Sequence, residues 1–489
     1  MSAAKSGQAG RAGQAGQNGR DGRRTGRTER PTRATRAGRA ARAATLRPLR
    51  PLRHREYRLL AASLVASLFS AGLLVVSLVW QVVALGGGPS ELAWATTAQA
   101  TGVLAAALPG GVVADRLPQR GILLAVEFTK AVAVGSVAVA SLTGQLHLSH
   151  LVVVALLGGI ADGLYFPAYT ALLPKLVDPT DLLAANGLEG VFRPTLVNAA
   201  GPAVAGAVVA AVSPGAALGL VAACALLAGL VLLPLRPRPA SLPVAADSGS
   251  TSGGSGGAGS AGAAPGTSTV LRDLLDGFRF MLRTRWLWAT LAFASLAVLA
   301  FMGPLDVLLP FAIKDNAGGG PGDHALVLAA FGAGGALASL YVASRPMPRR
   351  YLTAMIMLWG WGGLPMAALG LTSSVTVMVV AAFAVGASFQ AATVIWGTLL
   401  QRRVPPELLG RVSSLDFFVS LLFMPVSMGL AVPISHVIGL SGAFIAAAVL
   451  PAALAVVTII GARLPADEAA HPLREEPPFG EAAGPATRQ

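Results

Sequence analysis

Residues 109–124 read PGGVVADRLPQRGILL and place one acid, Asp115, and two arginines, Arg116 and Arg120, between two long apolar segments. A turn on the cytoplasmic side of a membrane is ordinarily basic, which accounts for the two arginines. That rule gives no reason for Asp115. The rest of the chain decides whether this turn is a simple hairpin or has a function of its own.

The composition is that of a polytopic membrane protein. Hydrophobic residues make up 54% of the chain and charged residues 12%, and the mean hydropathy is +0.64. Soluble domains carry about 25% charged residues. Apolar segments of roughly 20 residues, each long enough to cross a hydrocarbon core about 30 Å thick, recur along most of the length. We therefore predict an all-α membrane protein.

Twelve apolar segments bounded by Gly, Pro or charged residues are the predicted transmembrane helices. They run over residues 59–85, 92–114, 121–142, 149–174, 186–212, 215–235, 286–311, 325–344, 351–371, 375–400, 412–436 and 440–462. A Gly/Ser-rich stretch, residues 236–269, is a predicted flexible cytoplasmic linker between two six-helix halves. This is the layout of transporters built from parallel repeats, with the substrate site between the halves.

The flanking segments complete the predicted domains. These are a basic disordered cytoplasmic tail (residues 1–58), the halves (59–235 and 286–462), an amphipathic interfacial helix (270–285) and a second disordered cytoplasmic tail (463–489). The first tail holds 16 of the 37 Lys and Arg residues but three of the 23 acids. Three interpretations of this tail are open: an arm that lies against anionic lipid of the inner leaflet, an arm that binds nucleic acid, or the product of a mis-called start codon. We favour the lipid arm and expect no nucleic-acid partner.

The distribution of Lys and Arg predicts the orientation in the cell membrane. With both termini in the cytoplasm, the cytoplasmic loops carry Arg116, Arg120, Lys175, Arg345, Arg349, Arg350, Arg402, Arg403 and Arg411. The outward loops carry Lys314 alone.

The opening turn resembles the pattern G-x-x-x-D-R-x-G-R-[KR], which follows the second helix of major facilitator superfamily transporters. The matching residues are Gly111, Asp115, Arg116 and Arg120. Pro118 and Gln119 depart from the pattern. Residues 158–188 and 399–417 are similar to segments of the drug and siderophore exporter branch, which includes the bacterial enterobactin exporter. The resemblance covers residues 53–465 and implies a 12-helix transporter.

Asp115 is the predicted centre of a conformational latch. A lone carboxylate at the inner end of a helix is stabilised by a positive partner. The eleventh helix offers Arg411 and a positive N-terminal dipole, with Ser413 or Ser414 as its predicted N-cap. Gly110 and Gly111 allow close approach of the helices. The latch, with Arg116 and Arg120, joins the halves on the inner side and favours the outward-open state, as the resemblance also implies. Ordinary positive-inside charges are the alternative.

The fifth helix carries part of a motif found in exporter relatives. Gly201, Pro202 and Gly206 match it, whereas Val197 and Ala205 stand where glycines belong. Gly and Pro permit a bend and close packing in a membrane helix. The match favours export, with small-residue packing as the alternative.

Ionisable residues inside the membrane are costly and are candidates for proton coupling. The candidates are Asp162, Glu127, Asp306, Lys130 and Arg193. Asp162 ranks first because it has no partner within one turn of its own helix, and pairing with Lys130 or Arg193 is the main alternative. Helical spacing allows local pairs between Glu127 and Lys130 and between Glu189 and Arg193. Asp306 either takes part in coupling or reaches the outer interface.

Amides and aromatic side chains mark a predicted central cavity for amphiphilic substrates. Its predicted residues are Gln81, Gln99, Tyr165, Tyr169, Phe389, Gln390 and Trp396. Packing and bonds between helices are the alternative for each of them.

We predict a monomeric secondary active transporter, most simply an exporter that exchanges protons for a drug, a siderophore or a secondary metabolite by alternating access. No P-loop occurs, so ATP-driven transport by this chain is unsupported. The six histidines lack metal-like spacing and Cys224 is the one cysteine, so we expect no metal, no cofactor and no enzyme activity. An importer or facilitator of the same fold is the alternative, followed by a non-transporting receptor.

Overall fold

The computed structural model describes residues 47–178, 181–236 and 278–473, apart from some side chains inside helices. The predicted linker after residue 236, most of both predicted tails and the first part of the predicted interfacial helix lie outside these ranges.

Six helices form the N-terminal half. They are α1 (Arg55–Ala84), α2 (Pro89–Arg116), α3 (Gln119–Leu142), α4 (Leu148–Leu172), α5 (Leu182–Thr195, a π-helical turn Leu196–Ala200, and Gly201–Ala211) and α6 (Pro214–Leu232).

Six more helices form the C-terminal half. Helix α7 comprises Arg285–Gly303, a π-helical turn Pro304–Leu308, Leu309–Phe311 and a second π-helical turn Ala312–Asn316. It is followed by α8 (Pro321–Ala343), α9 (Tyr351–Gly360, Trp361–Gly363 and Met366–Leu371) and α10 (Val375–Arg403). Helix α11 comprises Pro406–Leu422 and the first part of the range Met424–Gly461, which breaks at Gly439, and α12 is the part of that range after Gly439.

The predicted twelve helices are confirmed. Within the described residues, ten helical segments are long and apolar enough to cross a membrane. The last of them, residues 418–461, contains two membrane crossings, because Gly439 has φ 79°, a conformation that favours glycine and ends α11. Helix α2 is the remaining crossing.

The two halves repeat one packing scheme. In each half the second and fourth helices cross at glycines: a Cβ on Gly102 would lie 2.8 Å from the Ile160 nitrogen, and one on Gly386 would lie 2.8 Å from the Phe331 carbonyl carbon. In each half the third helix packs against the sixth. Small residues let membrane helices approach this closely.

Contacts between the halves involve α5 with α8 and α2 with α7 and α11. A Cβ on Gly206 of α5 would lie 2.6 Å from the Ala325 methyl group of α8. At the end of the bundle predicted to face outside, Ala93 and Ala100 of α2 belong to one buried cluster with Leu308. Among the described residues, the two buried clusters at the opposite end each draw on one half. Among the described side chains, apolar contact between the halves is therefore concentrated at the end predicted to face outside.

Both predicted tails are too long at their inner boundaries. Arg47–Arg53 forms a 3₁₀ helix, and Arg53 pairs with Asp178 at 2.8 Å and Asp181 at 3.1 Å. After α12, a short helix α13 (Leu464–Ala470) buries Leu464 completely. The Thr353 backbone N–H donates to a Glu468 carboxylate oxygen at 2.7 Å. These charged groups have partners in the helix bundle, so the segments that carry them are ordered.

Candidate functional site

A partly buried ion pair joins α3 to α4 inside the N-terminal half. Lys130 Nζ lies 3.0 Å from Asp162 Oδ1, and the exposed fractions of these side chains are 10% and 36%. Of the partners considered from sequence for Asp162, the structure selects Lys130 over Arg193. The Lys130 ammonium also lies 5.9 Å from the centroid of the Tyr165 ring, within the range of a cation–π contact.

A second carboxylate lies one turn from Lys130 on the same helix. Glu127 is completely buried and accepts a hydrogen bond from Ser67 Oγ of α1 at 2.6 Å. Its other oxygen, Oε2, has no hydrogen-bond partner among the described residues. Two acids thus flank one lysine, and Ser67 ties the group to α1. Sequence reasoning missed Ser67, since a serine in an apolar helix carries no specific signal.

The other local pair lies on α5. Arg193 Nη2 is 3.0 Å from Glu189 Oε1, which confirms the pair expected from the four-residue spacing. Arg193 also lies 6.0 Å from the Phe166 ring centroid. About half of the Arg193 side chain is exposed, whereas the Lys130 side chain is buried.

A cavity of about 70 Å³ opens beside the buried ion pair. Ser70, Gln99, Lys130 and Asp162 supply its polar lining. Of the predicted cavity residues in this half, Gln99 alone lines it. Gln81 is buried and accepts a hydrogen bond from Ser141 Oγ at 2.8 Å, so it joins two helices.

Tyr165 and Tyr169 form part of the packing around the pair. Their rings stack with centroids 6.2 Å apart, and their exposed fractions are 8% and 1%. The Tyr165 hydroxyl is buried without a hydrogen-bond partner among the described residues. Tyr165 is therefore adjacent to the charged group, and Tyr169 belongs to the core.

A larger cavity, of about 200 Å³, lies in the C-terminal half. Of the residues proposed for the central cavity, Phe389 and Trp396 line it, together with Trp359 and Asp416. The Trp396 indole N–H donates to Asp416 Oδ2 at 3.1 Å. Sequence reasoning missed Asp416, although an acid inside the predicted eleventh helix was the signal that could have found it.

Two predicted residues of this half lie away from that cavity lining. Gln390 packs against α8, where a Cβ on Gly335 would lie 3.3 Å from the Gln390 Cβ. Asp306 lies in the π-helical turn Pro304–Leu308. Helix α7 continues from there to Asn316, so Asp306 lies about 15 Å from that end of the helix.

The exporter-type motif of α5 sits at two helix crossings. Gly201 and Pro202 follow directly on the π-helical turn Leu196–Ala200. A Cβ on Gly201 would lie 2.6 Å from the Gly72 Cα of α1. Gly206 faces α8. The motif therefore packs α5 against α1 of its own half and against α8 of the other half.

The opening turn connects α2 to α3 through Leu117 and Pro118. Arg120 donates two hydrogen bonds to the C-terminal end of α6, to the carbonyls of Leu232 and Leu233. Gln119 donates to the Ala114 carbonyl at 2.7 Å and accepts from Lys175 Nζ at 2.9 Å. The residue that departs from the pattern thus ties the turn to the end of α4.

The latch itself is only partly described. The side chains of Asp115, Arg411 and Ser413 are not among those that the structure describes. The Arg116 side chain is exposed. A Cβ on Gly111 would meet nothing within 4 Å, so its expected close contact is absent from the described structure. The N-cap assignment of Ser413 was wrong, because α11 begins at Pro406 and Ser413 lies inside it.

Comparison with known proteins identifies the fold and family. The chain is 28% identical over 418 residues to the uncharacterised MFS-type transporter y4rN of Sinorhizobium fredii, covering 82% of this chain and 93% of that protein. It is 26% identical over 404 residues to the multidrug efflux pump Tap of Mycolicibacterium fortuitum, covering 80% and 92%.

Solved transporters share the architecture. A POT family transporter in complex with a thioalcohol-conjugated peptide aligns with TM-score 0.65 at 13% identity, covering 84% of this chain and 96% of that chain. An inward-facing bacterial homologue of the human lysosomal transporter Spinster aligns with TM-score 0.56 at 17% identity and the same coverage. The sequence profile of the Major Facilitator Superfamily matches residues 59–427. The chain belongs to this superfamily of transporters.

Proposed function

We propose that the protein is a secondary active exporter of the cell membrane, which exchanges protons for a hydrophobic or amphiphilic small molecule by alternating access. Both termini lie in the cytoplasm in this proposal. The group formed by Glu127, Lys130 and Asp162 is the observation that carries it. Ionisable side chains buried in a membrane helix are costly and are kept where they perform a function.

The group supplies a route for proton coupling. Lys130 pairs with Asp162 across two helices and lies one helical turn from Glu127. Arrival of a proton at Asp162 removes the charge that holds Lys130, and the ammonium then turns to Glu127. Lys130 keeps a carboxylate partner in both states, while the tie between α3 and α4 is made or broken. Asp162 is the more exposed of the two acids and borders a cavity, so it is the acid that a proton reaches.

Export is supported by the α5 motif and by the relative that is named a multidrug efflux pump. Gly201 and Gly206 allow α5 to pack tightly on α1 and on α8 of the other half. A helix that contacts both halves at small residues is suited to move when the halves rock against each other.

We also propose that Asp115, with Arg411 and Ser413, forms an inner latch that closes in the outward-open state, and that Gly111, Arg116 and Arg120 support it. Among the described side chains, apolar contact between the halves is concentrated at the opposite end, which this proposal places outside. A Cβ added at Gly111 would have no neighbour within 4 Å, which agrees with a latch that is released in this state.

Dye transport in whole cells tests the proposal. Cells that express the protein are loaded with Nile red or ethidium, and efflux is followed by fluorescence with and without a protonophore. We expect efflux that stops when the proton gradient is collapsed. Protein-dependent accumulation indicates an importer, protonophore-insensitive movement indicates a facilitator, and the absence of any transport across a broad substrate panel favours a receptor.

A further inference from the structure

We infer that the cavity of the C-terminal half is a binding site for a hydrophobic organic cation, with Asp416 as its counter-charge and aromatic rings as its walls. The inference rests on the proposed transport function and names the class of substrate. It places recognition in one half of the molecule, apart from the buried ion pair of the other half.

Asp416 is a carboxylate in apolar surroundings. It lines the cavity together with Thr290, Ser420 and side chains that are mostly apolar. One of its oxygens accepts the Trp396 indole N–H at 3.1 Å. Ser420 is a second hydrogen-bond donor to this carboxylate. Two neutral donors leave most of the charge uncompensated, and a charge in low dielectric without a counter-charge is strongly destabilising.

The described residues supply no cation to pair with Asp416. None of the residues that line the cavity in the described part of the chain is Lys, Arg or His. Arg403, two turns beyond Trp396 on α10, is engaged elsewhere: it pairs with Asp467 at 2.5 Å and lies 4.6 Å from the centroid of the Trp286 ring. A bound cation would complete the charge balance that the protein leaves open.

The walls provide the second attraction that an organic cation needs. The Phe301 and Phe389 rings stack with centroids 6.1 Å apart, and the Trp359 and Trp396 rings are tilted with centroids 6.3 Å apart. All four side chains line the cavity. Aromatic faces attract a cation, most strongly when both are removed from water, and quaternary ammonium groups are bound by such rings.

The volume limits the size of the ligand. About 200 Å³ is below the roughly 300–1,000 Å³ typical of drug-sized sites. The cavity therefore suits a cation with one aromatic ring, or the cationic end of a larger amphiphile.

Binding to the purified full-length protein in detergent tests the inference. The ligand is benzyltrimethylammonium, whose charge is independent of pH. Neopentylbenzene, in which carbon replaces the charged nitrogen, is the neutral analogue of the same shape. Intrinsic fluorescence reports binding because Trp359 and Trp396 line the cavity, and calorimetry provides an independent readout. The variants are Asp416→Asn and Asp416→Glu, with Asp315→Asn, an exposed acid at the outer end of α7, as the matched control.

We expect the wild type to prefer the cation. Asp416→Asn should weaken cation binding by about tenfold or more and leave binding of the neutral analogue unchanged, since the substitution removes the charge and keeps the shape. Asp416→Glu and Asp315→Asn should stay close to the wild type. If Asp416→Asn fails to fold, the preference of the wild type and of Asp416→Glu for the cation over its neutral analogue decides the matter.

Equal affinity of the wild type for the cation and the neutral analogue would overturn the inference, as would undiminished cation binding by a folded Asp416→Asn protein. Binding is measured without a membrane or a gradient. Loss of cation preference therefore refutes the substrate class while proton-coupled export of Nile red stands. Conversely, cation binding by a protein that exports nothing refutes the transport function alone.

Discussion

Lys130 Nζ and Asp162 Oδ1 lie 3.0 Å apart and connect α3 to α4 within the N-terminal half. Glu127, completely buried one turn earlier on α3, offers the same lysine a second carboxylate. An ammonium with two available partners differs from a simple structural pair, because it remains compensated when one acid is neutralised. The first prediction follows from this asymmetry.

Lys130→Met should destabilise the protein more than Asp162→Asn does. Loss of Lys130 leaves two acids in the bundle without their cation. Removing one partner of a fully buried pair costs about 3–5 kcal/mol, and the cost here is lower because 36% of the Asp162 side chain is exposed. Loss of the Asp162 charge leaves Lys130 with Glu127 and costs less. Thermal unfolding of purified proteins in detergent measures the difference. An Asp162→Asn protein less stable than Lys130→Met would show that Glu127 cannot serve as the second partner.

Ser67→Ala should lower stability by about 1.5–3 kcal/mol, the range for a hydrogen bond to a charged group, because Glu127 loses its 2.6 Å donor. Ser77→Ala is the matched control on the same helix, since the Ser77 hydroxyl donates to the Leu73 carbonyl of its own helix. The comparison uses the same thermal assay. Equal effects of the two substitutions would mean that Ser67 does not support the buried acid.

Gly201→Ala should destabilise the contact between α5 and α1. The added Cβ would lie 2.6 Å from the Gly72 Cα, which is backbone and cannot rotate away, and overpacking typically costs about 1–3 kcal/mol. Gly219→Ala on α6 is the control, because its Cβ meets nothing within 4 Å and alanine is the better helix former. Monodispersity and the thermal midpoint report the outcome. A Gly201→Ala protein as stable as the control would contradict the close crossing.

Asp115→Asn should reduce transport strongly and leave membrane insertion intact, because the proposed latch depends on the negative charge. Arg116→Gln is the companion variant. If the turn needs only positive charge to set the topology, loss of Arg116 affects the protein and loss of the Asp115 charge does not. Dye efflux and the amount of protein in the membrane are measured together. Full efflux by Asp115→Asn would contradict the latch.

The helices were predictable because their signal is local. Apolar length and the Gly, Pro and charged residues at helix ends predict twelve crossings, and the structure has them. The Glu189–Arg193 pair was predictable for the same reason, since a four-residue spacing places both side chains on one helical face. Helix ends are less certain: Lys314 was expected in an outward loop, but α7 continues to Asn316.

The partner of Lys130 could not be chosen from sequence. Glu127 is close in sequence, whereas Asp162 comes close only after α3 and α4 pack with a particular rotation, which depends on the whole bundle. The same limit applies to Gln81 and Gln99, two polar residues in apolar helices, of which one bonds to a neighbouring helix and the other lines a cavity. Asp416 lies in an apolar helix as well, and its role depends on rings from three other helices.

The central claim is that Asp162 couples proton movement to export, and dye transport into everted membrane vesicles tests it most directly. Wild-type vesicles with an imposed pH gradient, acidic inside, should accumulate Nile red or ethidium and lose this activity when a protonophore is added. Asp162→Asn vesicles should show no gradient-driven accumulation, yet should still exchange labelled for unlabelled dye at equilibrium. Gradient-driven accumulation by Asp162→Asn at the wild-type rate, with the same dependence on pH, would contradict the account.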